Sequence, residues 1–341
     1  PDREGCDKLA MFNLSPYERE EVVNTTITIR AQEFSIFDEN ENPVEYFIQD
    51  KRQIDPGKVD RQIVHYGNYD PFMEFDIQIK RTVPAMGFTT LHIQGNEKGA
   101  VKVAEQKAFS YEESLLENEY YRINVNDNGT LTIFDKETEQ VFDQVLRLED
   151  GSDDGDEYDY SPSRQEWLLY SDEFPVETSI DHQGFQSVAN IAFRMNVPAN
   201  LAEREERTGQ NGFVEAQCQV VLKQGSRRIE VRMELDNQAD DHRVRVLVPT
   251  PFVSETVVAD NQFGCITRPT YDPAMAVWEE EKWKEAPVPV YQLMNFAALE
   301  NGKAGMAIMS NGLREFEVIA SQGDENRDTF ALTLFRGIGV L

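Results

Sequence analysis

Apolar and polar residues alternate with a period of two along most of this chain. Phe75, Ile77 and Ile79 are interleaved with Asp76 and Gln78 and flanked by Glu74 and Lys80, the pattern of a strand with one buried face, and it stops at Pro84. The stretch Val22 to Arg30 is rich in Val, Thr and Ile, whose side chains suit a pleated surface. Farther on, Ile123 and Val125 lead into Asp127-Asn128-Gly129, and Leu131 and Ile133 resume the alternation, so this segment predicts a hairpin. A second hairpin is predicted from Cys218 to Lys223, through Gln224-Gly225, to Ile229, Val231, Met233 and Leu235. Helical spacing is confined to a short stretch near Trp278 to Trp283. The pattern predicts an all-β protein with many short strands.

The alternation is interrupted between Glu105 and Ser114, which predicts a boundary there. Residues 1–107 read as a small β-sandwich domain and residues 108–341 as a larger one. Two polar segments, Glu149 to Asp159 and Ala202 to Gly212, read as long loops, and long loops in compact domains are functional or mobile. There is no internal repeat.

Composition narrows the partners. With 341 residues and 40% hydrophobic content the chain is long enough for two domains with their own cores. It carries 33 Lys and Arg against 62 Asp and Glu, a net charge of −29, which repels a phosphate backbone or an anionic lipid surface. Neither a nucleic-acid nor a membrane partner is expected. Cys6, Cys218 and Cys265 are odd in number, far apart and without a Cys-x-x-Cys pair, which fits a reducing compartment and predicts a cytoplasmic protein. No run of about 18 apolar residues occurs, and the amino terminus has no signal-like stretch. The first residue is Pro1 and the last phrase, Thr333 to Leu341, stops in a strand pattern, so both ends read as cut from a longer chain.

The candidate chemistry is sparse. His65, His92, His182 and His242 lack the spacing that aims two imidazoles at one metal, so no zinc site is expected within the chain. Glycoside hydrolysis needs two carboxyl groups at a set separation, and a count of acids does not supply it. The segment Glu149 to Pro162 interleaves Asp150, Asp153, Asp154, Asp156, Glu157 and Asp159 with Tyr158 and Tyr160. It reads as a solvated loop, a sugar-facing loop or a cation loop, although the order of acids in an EF-hand is not kept. In Asp260 to Arg268 the polar tip and Gly264 suit a turn, and Arg268 either grips a ligand carboxylate or pairs with an acid inside the fold. Asp240 to Arg245 reads as a structural turn with internal ion pairs. Trp167 reads as core, while Trp278 and Trp283 lie in a more exposed, acidic stretch that lines a groove or meets a neighbouring domain.

Taken in order, several phrases resemble the carboxy-terminal β-sandwich region of bacterial glycoside hydrolase family 38 α-mannosidases. Leu9 to Pro16 resembles the phrase that opens their first β-domain after the helical bundle, and Asn118 to Phe134 is similar to the start of their large supersandwich. Gly155-Asp156-Glu157-Tyr158-Asp159-Tyr160-Ser161-Pro162 looks like the loop that reaches the family's active site. Asp241 to Val246, Pro249-Thr250, Asp260 to Arg268 and Gly305 to Val318 follow the family's later phrases, so the likeness spans nearly the whole chain.

The resemblance implies a small β-sandwich followed by a galactose mutarotase-like β-supersandwich. It also implies a parent enzyme, a retaining α-mannosidase or mannosylglycerate hydrolase, with zinc or another divalent ion beside an Asp nucleophile in an upstream barrel. None of those residues maps here. The chain is therefore expected to be a fragment without the catalytic barrel, inactive alone, with no catalytic residue, metal ligand or cofactor of its own. By motif position Tyr158 resembles the family tyrosine that approaches the sugar, and Asp156 and Arg268 stand as substrate-binding residues at the rim. The partners implied are an α-mannoside or mannosylated substrate and the upstream barrel and helical bundle of the same polypeptide, with a homo-oligomer left open. Two other readings stand beside this one: a stand-alone carbohydrate-binding β-sandwich, and a purely structural or oligomerisation domain, which predicts an exposed apolar patch on one face.

Overall fold

The computed structural model describes residues 7–54, 72–95, 115–284, 287–321 and 327–338. The boundary expected at 107/108 lies outside these residues. The chain forms two compact units, one of Pro1–Tyr120 with Ile180–Val188 and Val220–Glu230, the other of Tyr121–Ser179 with Ala189–Gln219 and Val231–Leu341. Nearly all the regular structure described is β-strand, as the period-two pattern predicts.

In the first unit, strand Arg19–Ile29 pairs along its whole length with Phe72–Val83, and Tyr46–Ile54 covers the other edge of Phe72–Val83. Lys8–Asn13, Gly87–Gly95 and Phe34–Phe37 make a second three-stranded sheet. Their inward side chains form one core that includes Ile27, Phe34, Ile36, Phe75, Ile77, Ile79 and Leu91. Each such side chain contributes about 1.5–3 kcal/mol by leaving water. The ring of Phe34 lies 4.9 Å from those of both Tyr46 and Phe75. Gln78 departs from the alternation because it too is buried, and its amide oxygen accepts the Phe185 N–H at 3.0 Å.

The second unit contains a six-stranded sheet in the order Leu169–Tyr170, Arg147–Ser152, His242–Pro249, Thr329–Gly337, Glu315–Ile319, Val290–Gln292. One face is apolar and buried, with Leu148, Val244, Val246, Phe316, Phe330 and Leu332. The other carries Glu149, Arg243, Arg245 and Glu317, and the register sets Glu149 beside Arg245 and Arg245 beside Thr333. A further four-stranded sheet, of Val176–Gln183, Gln186–Val197, Gly212–Lys223 and Ile229–Asn237, contains the second predicted hairpin, whose residues Val220–Glu230 belong to the first unit, with Gly225 in the left-handed region at φ 70°. The first predicted hairpin, Tyr121–Val125 with Leu131–Asp135, closes as expected through Gly129 at φ 81°, a conformation glycine adopts without strain.

Local expectations needed correction in four places. The helix expected near Trp278 to Trp283 lies earlier, at Ala274–Val277, starting after Pro273, whose fixed φ is compatible with a first helical turn. Ala202 to Gly212 is not all loop, since Leu201–Glu206 is helical. The signal was present as Asn-x-x-Glu: the Asn200 side chain accepts the Glu203 N–H at 3.1 Å, and the Glu203 carboxylate accepts the Ala199 N–H at 2.9 Å. In Glu149 to Asp159 the part up to Ser152 is strand rather than loop. Trp167 is half-buried rather than core, with the Arg207 guanidinium 5.9 Å from its ring.

Candidate functional site

The strand Arg147–Ser152 runs out of the six-stranded sheet into a loop that returns at Leu169. Its first residue, Asp153, is buried and clamped by Arg336. Arg336 Nε donates to Asp153 Oδ2 at 2.6 Å and Nη2 to Oδ1 at 3.1 Å, and the same Nη2 reaches the carbonyls of Asp156 and Asp159, each at 2.8 Å. Asp153 Oδ1 also accepts the N–H groups of Gly155 at 3.1 Å and Ser161 at 3.3 Å. One buried ion pair therefore holds both limbs of a tight loop. A side chain at position 155 would collide with the Asp159 carbonyl and sit 2.9 Å from Asp153 Oδ1, so this close approach requires glycine.

At the tip Asp156 Oδ1 accepts the N–H groups of Tyr158 at 2.9 Å and Asp159 at 3.0 Å. These donors, that of Asp159 foremost, hold the Asp156 carboxyl below its ordinary range. Tyr158 is left 80% exposed, with ring and hydroxyl in solvent. Tyr160, two residues on, turns inward and stacks under the Arg243 guanidinium at 3.4 Å, and burial pushes its phenol up to about 12. On the return limb Glu166 accepts the Ser152 N–H at 2.8 Å and the Ser152 hydroxyl at 2.5 Å.

Two charge clusters support this loop. On the polar face of the sheet Arg245 pairs with Glu149 and Glu317, while Arg243 lies 3.7 Å from Glu317 and 3.9 Å from Glu315. On the apolar face Asp150, Arg204 and His242 are fully buried together. Arg204 pairs with Asp150 and donates to the Trp167 carbonyl at 2.6 Å, and the His242 ring nitrogens face Asp150 Oδ1 at 2.5 Å and Asn237 Oδ1 at 3.0 Å. A buried charge is tolerated only with such partners. The cluster ties the helix Leu201–Glu206 and the end of the loop to the sheet. Of the segment Asp240 to Arg245 expected as a turn, the part from His242 on is strand, and it is this strand part that carries the expected ion pairs, through Arg243 and Arg245. Arg204, by contrast, lies in the segment Ala202 to Gly212 that the sequence reads as a loop, where a charged side chain among acids reads as exposed.

The expected site residues are placed in two locations. Tyr158 and Asp156 share the loop tip. Arg268 belongs to a different sheet, in strand Gly264–Pro269, and its guanidinium lies 4.9 Å from the Tyr291 ring. Among the described residues the group it faces is this aromatic ring, where the sequence left open a ligand carboxylate or an acid inside the fold. In the same hairpin Asp260 accepts N–H groups from Met294, Asn295 and Phe296 at 2.8–3.0 Å; partial burial alone would raise its carboxyl, but these donors bring it down to about 2. Phe263, at the turn with φ 73°, is fully exposed, and the sequence reading passed it over.

The first unit carries an exposed apolar cluster. Phe12 and Phe88 are cross-strand partners with ring centroids 5.5 Å apart, and Leu14, Tyr17 and Met86 are exposed on the adjoining turns, which are joined by Met86 N–H to the Ser15 carbonyl at 2.9 Å. Among the described residues no group of three or more His, Cys, Asp or Glu side chains is placed to hold a metal ion, and no helix is long and apolar enough to cross a membrane.

Comparison with known proteins agrees with this architecture. The profile of the Glycosyl hydrolases family 38 C-terminal domain matches residues 116–339. A putative mannosylglycerate hydrolase of Halalkalibacterium halodurans is 28% identical over 247 residues, which are 67% of this chain and 26% of that protein. Two solved structures from Enterococcus faecalis resemble it over 99% of its length: a protein in the Glycosyl Hydrolase Family 38 (TM-score 0.73, 21% identity, 41% of that chain) and an alpha-mannosidase of strain V583 (TM-score 0.74, 22% identity, 40% of that chain). At these identities the structural likeness establishes the fold. The chain spans about a quarter of the curated relative and about two fifths of the solved chains.

Proposed function

Because this chain belongs to the Glycosyl hydrolases family 38 C-terminal domain family, we propose that it serves as the carboxy-terminal part of a retaining, metal-dependent α-mannosidase and helps to shape the sugar pocket. In this reading the nucleophile, the acid and the divalent ion, zinc or another, come from the barrel and helical bundle of a longer polypeptide. The described residues do not fit a divalent ion, so no step is assigned to one here.

The observation that carries the reading is a loop fastened at entry, middle and return that leaves Tyr158 free in solvent. A rigidly held aromatic with a hydroxyl stacks on the C–H face of a sugar and bonds one of its hydroxyls without paying to order itself. Held against a distorted ring, that bond is worth about 1–3 kcal/mol if it tightens in the transition state. Asp156 shapes the tip through Oδ1, which accepts the N–H groups of Tyr158 and Asp159, and as an exposed residue it keeps Oδ2 for a sugar hydroxyl at the rim. Arg268 over Tyr291 and the exposed Phe263 are a second set of groups available to the rim. The buried Cys218 and exposed Cys265, both free thiols, accord with a cytoplasmic setting.

A structural role is favoured by one observation of its own, the exposed cluster of Phe12, Leu14, Tyr17, Met86 and Phe88. An apolar patch rimmed by polar residues is a docking surface. We assign it to the catalytic part of the longer polypeptide.

The decisive experiment compares aryl α-mannoside hydrolysis by the chain alone, with and without zinc, and by the full-length enzyme carrying Tyr158→Phe or Tyr158→Ala. The chain alone should be inactive and should bind no stoichiometric metal. In the full-length enzyme, kcat and KM unchanged by both substitutions would refute the role of Tyr158, and activity of the chain alone would refute its dependence on a barrel.

A further inference from the structure

Away from the loop, the sheet of Val176–Gln183, Gln186–Val197, Gly212–Lys223 and Ile229–Asn237 has a second feature of interest. Its two central strands alternate: Ile191, Phe193, Val214, Ala216 and Val220 are buried, and the residues between them face outward. The outward residues Asn190, Ala192, Gln217, Gln219, Arg232 and Glu234 surround a cavity of about 330 Å³. Small-molecule sites begin at about 300 Å³.

The lining defines the ligand class. Gln219 Nε2 donates to Asn190 Oδ1 at 3.1 Å, which orients both amides and leaves Asn190 Nδ2 as a donor and Gln219 Oε1 as an acceptor. Gln217 offers one more of each, Arg232 offers donors and Glu234 acceptors. Ala192 keeps the middle of the surface open. The walls are mixed, with Ile191, Ala192 and Cys218 among the amides, hydroxyls and charged groups, so a purely apolar ligand would leave polar groups unpaired. Free anions are disfavoured by the net charge of −29. Glu177, Glu234 and Arg232 put both signs of charge around the amides and the hydroxyls of Thr178 and Ser179, a mixed lining that suits a molecule rich in hydroxyls, each of which donates and accepts, and vicinal hydroxyls match the paired donor and acceptor of an amide.

We propose that this cleft is a second carbohydrate site, which takes a neutral saccharide on the outer face of the sheet. It stands on the cavity and its amides alone and does not require the role given to Tyr158. Without an aromatic platform the affinity is modest, on the order of 1 mM.

The test is a titration of the whole chain with methyl α-mannoside and with an α-linked mannobiose, followed by backbone amide NMR. Saturable shifts should appear at residues 190–192 and 217–219. Ala192→Trp, which fills the cleft from a solvent-facing position, should weaken binding by at least about tenfold, and Gln217→Ala by a smaller factor. Tyr158→Ala should leave these shifts unchanged. Gln217→Ala decides the outcome if Ala192→Trp fails to fold. The absence of saturable shifts with either sugar would overturn the proposal, as would shifts that survive Gln217→Ala and vanish with Tyr158→Ala, because the sugar would then sit at the loop.

Discussion

Replacing Arg336 by Met removes the clamp on the loop while keeping most of the side-chain volume. The wild-type guanidinium makes two bonds to a carboxylate whose side chain is 0% exposed and two to backbone carbonyls, and its own side chain is only 13% exposed. Charge-assisted bonds contribute about 1.5–3 kcal/mol each, but they are not additive when one group makes all four. The larger consequence is that Asp153 is left as a buried, unpaired anion, a situation that costs about 3–5 kcal/mol. The loop can relieve part of this by undocking and hydrating Asp153, so a loss of about 3 kcal/mol is expected, concentrated locally. Urea denaturation reads the loss in stability, and hydrogen exchange of the amides of residues 154–161 reads where it falls. A double-mutant cycle with Asp153→Asn isolates the pair, and the coupling should be about 2 kcal/mol or more. If Arg336→Met leaves both the urea midpoint and the exchange of these amides unchanged, the clamp does not hold the loop and the presentation of Tyr158 needs another cause.

Gly155→Ala should open the same loop, because the new methyl group meets the Asp159 carbonyl, at a cost of about 1–3 kcal/mol; a loop as resistant to limited proteolysis as the wild type would contradict this. Tyr160 has an ordinary phenol value of 10.0, raised by burial to about 12 in the fold, so its contribution to stability is intact below pH 10 and is lost as pH rises towards 12. A difference ultraviolet titration of wild type against Tyr160→Phe should show the missing tyrosine ionising late, and ionisation near the ordinary value would show that the ring is not buried. Asp260 runs the other way: its carboxyl is held at about 2 against an ordinary 3.8, so its contribution is present above that ordinary value and is lost as pH falls towards 2. Carboxyl-carbon NMR should find it charged when most other aspartates have taken up a proton. In a Cys6→Ser background, Cys265 should react with a thiol reagent in the native state and Cys218 only after unfolding, since burial pushes the Cys218 thiol up to about 12; two fast thiols would refute the packing of that strand.

The sequence by itself determined the local β-structure and the family likeness. Strand periodicity and turn chemistry act over a few residues, so Phe75, Ile77 and Ile79 on one face, Gly129 in its hairpin and Gly225 in the next were all legible. The helix at Leu201–Glu206 was legible too, through Asn200 and Glu203, although the polarity of the segment masked it. Only the tertiary structure decided which charges meet. Asp153 and Arg336 are 183 positions apart, and Asp150 and His242 are 92 apart. They meet because the sheet order sets Arg147–Ser152 beside His242–Pro249 and that strand beside Thr329–Gly337. A charged residue reads as solvated in a sequence because desolvation opposes its burial, and that cost is offset only when a partner is delivered by strand register from far along the chain. The alternation pattern is blind to that delivery, and for this reason Arg204, Asp150 and the clamp beneath Tyr158 became visible only in the folded protein.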